Sequence, residues 1–146
     1  MMQRHLQIGA LLALLLVLPL SPQAPEGAPG DLGRILRDAS RALQAGNAAL
    51  FLSHFDERRF PEYARLEDHV VALTRQADIA SSIEIAGSEG GGETETLMVD
   101  WLLQLTPSSG FGPATRRRES ITIRFSNAEA KPRIVSLAPI DFFRPL

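Results

Sequence analysis

The stretch TETLMVDWLLQL, Thr94 to Leu105, places Leu97, Val99, Trp101, Leu103 and Leu105 at every second position. A period of two belongs to a strand with one buried face. Working backward, Ile79, Ser81, Ile83 and Ile85 alternate in the same way, and a glycine-rich turn from Gly87 to Gly92 separates the two runs. Working forward, a loop from Thr106 to Ala114 leads to a strand near Thr115 to Phe125, and a last strand runs from Arg133 to about Phe142. Four consecutive strands joined by short turns make an antiparallel meander.

A one-residue slip would invert every side chain, so the register is tested by asking which pairing matches apolar residues. Setting Leu97 opposite Ile123 and Val99 opposite Ile121 puts Trp101 against Glu119, Ile83 beside Leu97 and Val135 beside Ile123. One face then gathers Ile79, Ile83, Ile85, Leu97, Val99, Trp101, Leu103, Leu105, Ile121, Ile123, Phe125, Val135 and Leu137. The other is mixed, carrying Thr96, Met98, Asp100, Leu102, Gln104, Arg118, Thr122, Arg124, Ile134, Ala138 and Ile140.

Upstream the apolar period lengthens to that of a helix. Leu32, Ile35, Leu36, Ala39 and Leu43 form a stripe over Asp31 to Ala45, which Gly46 ends. Asn47 caps a short second helix to Phe55, and Asp56 to Arg59 is a charged loop. Pro61 opens a third helix whose stripe is Tyr63, Leu66, Val70, Leu73 and Ala77. The expected fold is α+β, three N-terminal helices packed on a curved four-stranded antiparallel meander.

Residues 1–30 read differently. Arg4 and His5 precede the apolar run Ile8 to Leu20, and a proline- and glycine-rich exit follows from Ser21 to Gly30. That order describes a secretory signal peptide, and the run is shorter than the roughly 20 apolar residues of a membrane helix. The organisation expected is a leader over 1–30 and one domain over 31–146, exported to the periplasm or the extracellular space. Contact with a membrane would come only through an uncleaved leader. The absence of cysteine leaves stability to packing alone, and a net charge of −2 argues against a nucleic-acid partner.

The segment RALQAGNAALFLSHFDE (Arg41 to Glu57), the strand VDWLLQL (Val99 to Leu105) and the closing RIVSLAPIDFF (Arg133 to Phe143) together resemble the nuclear transport factor 2-like superfamily. The resemblance implies a cystatin-like α+β cone and, with the leader, an exported bacterial-type member of that superfamily. Such a cone hosts enzymes, ligand binders and dimerisation modules alike. The isomerase branch of the superfamily uses a tyrosine in its first helix, and this first helix has none.

Candidate chemistry is sparse. Asp100 lies diagonal to Arg118 on the mixed face, where a cross-strand ion pair is the natural reading. Glu119 shares the apolar face with Trp101, where desolvation would raise its pKa, unless it reaches water at the rim. His54 falls between Leu50 and Phe51 around its helix and should face inward, and His69 flanks the Leu66–Leu73 stripe close to Tyr63. A ligand cavity would therefore be bounded by Trp101, Tyr63, His54, His69 and Glu119, with Glu119, His54 and His69 the candidates for acid–base chemistry. No spacing of metal ligands, nucleophilic triad or phosphate loop occurs, and no cofactor or metal is expected.

Met98, Leu102, Ile134, Ala138 and Ile140 would cross three strands of the outer face and mark a two-fold interface. A solvated face on a monomer is the alternative. The functional expectation is non-catalytic binding of an apolar or amphipathic small molecule. A dimeric interaction module without ligand comes second, and a cavity isomerase, hydrolase or dehydratase third.

Overall fold

The computed structural model describes residues 30–146, so the leader read from the sequence lies outside the described residues, Gly30 apart. Helices α1 (Gly30–Gln44), α2 (Ala48–Leu52) and α3 (Tyr63–Gln76) precede strands β1 (Ala77–Gly91), β2 (Thr94–Pro107), β3 (Thr115–Ser126) and β4 (Arg133–Ala138). A 3-10 turn, Ile140–Phe143, closes the described chain. The strands form one antiparallel sheet in the order β1-β2-β3-β4. Among the described residues no helix is long and apolar enough to cross a membrane.

Local chemistry explains the boundaries. Asn47 accepts the Leu50 N–H at 2.9 Å and so satisfies one of the free donors at the start of α2. Gly46, with φ of 67°, supplies the left-handed residue between α1 and α2. The third helix starts after Glu62, two residues later than Pro61 alone would suggest.

The β2–β3 register is the one the hydrophobic pattern dictates: Leu97 faces Ile123, Val99 faces Ile121 and Trp101 faces Glu119. The outer pairs differ. Ile83 lies opposite Trp101, and Ile85 opposite Val99, while β1 continues through the glycines to a two-residue turn at Gly92-Glu93. Gly92, with φ of 78°, fits the first central position of such a mirrored hairpin turn. That tight turn and a one-residue bulge at Ala86, between Ile85 and Gly87, together set the pairing.

The β3–β4 pair contains a bulge at Arg124/Phe125 that leaves Val135 as the extra residue. Its effect is to reverse parity within β4. Leu137 faces inward opposite Ile123, and Ile134 also faces inward opposite Phe125, only 1% exposed. The expected positions of Ile134 and Val135 are therefore exchanged. Ile140 is likewise buried, because Pro139 ends the strand and the chain turns inward into the 3-10 helix. The last strand thus stops at Ala138 and not near Phe142.

Between the helices and the sheet lies a core built around Trp101, which is 1% exposed. Phe143 meets its ring edge-on at 5.2 Å between centroids, Phe142 lies at 6.0 Å and Phe51 at 6.5 Å. The indole N–H donates to the Ser81 hydroxyl at 2.9 Å, and Ser40 donates to the same oxygen at 2.7 Å. The one polar atom of the indole is thereby satisfied in an apolar setting.

Candidate functional site

The residues expected to bound a cavity are dispersed. Trp101 is enclosed by Phe51, Phe142 and Phe143, so aromatic rings occupy the space beside it. Glu119 sits half-buried opposite Trp101 on β3. His69 lies 3.4 Å from Asp141, in a surface group where Arg65 also pairs with Asp141 and, at 3.3 Å, with Glu62. Tyr63 lines a separate cleft with Glu57, Glu67, Arg58 and Arg133. Burial, then Glu67 and Glu57, hold its phenol above the ordinary value.

His54 lines a third depression with Arg34, Asp38, Lys131 and Arg133. Its Nε2 is enclosed and has no hydrogen-bond partner among the described residues. Burial lowers its pKa from 6.5, an effect that Asp38 opposes and Arg133 reinforces. Among the described residues no hydrogen bond or ion pair joins any two of Glu119, His54 and His69.

The lowered His54 pKa has a thermodynamic sign. As the pH falls below 6.5 the unfolded chain takes up the proton before the folded one. Stability is full above that value and declines as the pH falls through the folded pKa. Thermal unfolding scanned from about pH 7.5 to about pH 5 should show that decline in the native protein and a weaker one in His54→Gln. Identical slopes would contradict it.

One functional-looking residue escaped the sequence reading. Arg117, on the inward side of β3, is 8% exposed, and its guanidinium donates to the carbonyls of Phe142 (3.1 Å) and Pro145 (3.1 Å) and also to that of Arg144. Burial lowers its pKa, and Arg144 adds to that effect while Glu119 opposes it. It is the middle residue of the basic run Arg116 to Arg118, and its alternation with exposed neighbours marks it as inward. Its role is to fasten the C-terminal residues under the sheet.

Among the described residues no helix packs on the outer face. Asp100 accepts from Arg118, whose Nε lies 3.0 Å and 3.1 Å from the two carboxylate oxygens, and this bonding holds Asp100 below its ordinary pKa. Met98 (37% exposed), half-buried Leu102 and exposed Ala138 lie on this face, as expected; Ile134 and Ile140 do not, for the reasons given above. Gly87 makes room for Met98, since a Cβ there would stand 2.9 Å from the methionine Cε.

No protein-family model matches the chain, and no curated protein matches it. Solved structures do. A nuclear transport factor 2-like superfamily protein from Salmonella enterica serovar Typhimurium superposes with a TM-score of 0.60 at 9% identity, covering 74% of this chain and 86% of that one. A protein from Xanthomonas campestris, named for the calcium/calmodulin dependent protein kinase II association domain, gives 0.63 at 11% identity, covering 77% and 87%. The beta subunit of the benzoate 1,2-dioxygenase of Burkholderia mallei gives 0.56 at 17% identity, covering 78% and 90%. The fold is the nuclear transport factor 2-like cone. At such low identity the likeness extends to the fold alone.

Proposed function

We propose that this protein is a non-catalytic assembly module that pairs with a second copy of itself through the outer face of its sheet. The observation that carries this reading is the aromatic filling around Trp101, which occupies the room a ligand would need beside it. With the acid–base candidates dispersed as well, the outer face is the broad surface left to work with.

Its chemistry favours a copy of itself. Met98, Leu102 and Ala138 supply apolar surface there, interspersed with Asp100 and Thr122. Glu84 and Glu89 lie on the β1 side, and Arg116 and Arg118 lie on the β3 side. A two-fold axis along β2 would set the acidic side of one copy over the basic side of the other, with Met98 and Leu102 of the two β2 strands in contact. Two of the matched structures are named as an association domain and as a beta subunit, which agrees with an assembling role for this fold. Export through the leader at residues 1–30 would place the assembly outside the cytoplasm.

Light scattering at micromolar concentration tests the reading. The native protein should have twice the chain mass, and Leu102→Arg should be monomeric with nearly the native melting temperature. A native monomer, or a Leu102→Arg dimer, would refute it.

A further inference from the structure

We propose that the cleft over the β4 edge, between the Asp56–Glu62 loop and the ends of β2 and β3, is a binding site for a small organic oxyanion, a phosphate or carboxylate carried on an apolar body. The cleft has a volume of about 590 Å³, within the roughly 300–1,000 Å³ usual for small-molecule sites. The proposal does not rest on the dimer reading, because the cleft's lining includes none of Met98, Leu102 and Ala138.

Two guanidiniums line it. Arg124 projects from the outer face in the row Thr96–Arg124–Ser136, and among the described residues it has no carboxylate partner. Arg59 comes from the loop and is held in place. Asp56 receives the Arg58 and Arg59 N–H groups at 3.1 and 3.2 Å in a side-chain turn. The Asp56 backbone N–H is tied to the Ile134 carbonyl at 2.8 Å. The Arg59 guanidinium in turn donates to the Ser126 hydroxyl at 3.0 Å and lies 3.7 Å from the Asp56 carboxylate, which offsets part of its charge.

Glu62 is the acid within the cleft, and it is engaged by Arg65 at 3.3 Å. The lining therefore keeps a positive excess. Hydroxyls of Thr94, Ser126 and Ser136 add donors around the same space. Guanidinium pairs and hydroxyls are the donor set that phosphate and carboxylate oxygens take, often in bidentate fashion. The remaining wall is apolar, made by Phe60, Pro61, Val135 and Leu137. An inorganic ion would leave that wall wet, whereas an aryl or alkyl body would cover it.

Titration calorimetry on the purified protein with phenyl phosphate, inorganic phosphate and phenol tests the site. Phenyl phosphate should bind saturably, inorganic phosphate more weakly, and phenol without measurable heat. Arg124→Gln should weaken phenyl phosphate about tenfold or more, the loss expected for a charge-assisted contact, while keeping the native melting temperature. Arg34→Gln, away from the cleft, should leave the affinity unchanged. Benzoate in place of phenyl phosphate separates the two head groups, and the tighter binder names the natural class. Absence of binding by both phenyl phosphate and benzoate at about 10 mM, equal affinity for inorganic phosphate, or an unchanged affinity in Arg124→Gln would overturn the proposal.

Discussion

Trp101→Ala lowers the free energy of unfolding by about 3–5 kcal/mol, the usual cost of truncating a buried aromatic side chain. Trp101 is almost wholly buried and packs on Phe51, Phe142 and Phe143, three rings that come from α2 and from the chain after β4. Removing it opens a void that backbone from distant parts of the sequence would have to close. It also leaves the Ser81 hydroxyl without the indole donor. Since total stability is about 5–15 kcal/mol, the variant should be largely unfolded at modest denaturant. Urea unfolding followed by circular dichroism measures the loss. A midpoint equal to the native one would mean that Trp101 faces water and that the register of β2 is inverted.

Ile134→Glu has an effect at least as large, about 4 kcal/mol or more, for a different reason. The side chain is buried opposite Phe125, and a carboxylate there has no partner to offset its desolvation. Met98→Glu, on the exposed outer face, should change stability by no more than about 0.5 kcal/mol. The pair of variants separates the two faces directly. A soluble, folded Ile134→Glu with a native melting temperature would show that β4 lacks the bulge and that Ile134 belongs to the outer face.

These two residues mark how far the sequence could be read. Around Trp101 alternation was strict on both strands, so pairing apolar with apolar left a single register, and Glu119 opposite Trp101 followed from it. In β4 the run Ile134, Val135, Ser136, Leu137 offers apolar residues on both parities. Hydrophobicity could not choose between them. The choice is made by the bulge at Arg124/Phe125 and by the His54–Asp56 segment, which hydrogen-bonds to both backbone groups of Ile134. A bulge depends on tertiary geometry and leaves no mark in the alternation.

The site was less legible than the fold. His54, His69 and Glu119 are each half-buried on separate segments, and nothing local could say that Phe51, Phe142 and Phe143 would pack around Trp101. Two of these rings, Phe142 and Phe143, come from a segment read as strand that instead folds under the sheet as a 3-10 turn. The anchoring of that segment by Arg117 was equally hidden, since a charged residue in a basic run carries no sign of burial. By contrast, the ion pair of Asp100 with Arg118 was readable, because both sit on one face of neighbouring strands.

The central claim, that the outer sheet face is the working surface and is covered by a second copy, can be measured on the methyl groups that form it. Protein labelled at its methionine and leucine methyls is exposed to a soluble gadolinium chelate, and relaxation enhancement is recorded as the protein is diluted from high to low micromolar concentration. The account predicts that the Met98 and Leu102 methyls are shielded at high concentration and become accessible together on dilution, while the buried Leu103 methyls stay shielded throughout. Met98 and Leu102 methyls fully accessible at every concentration would contradict it.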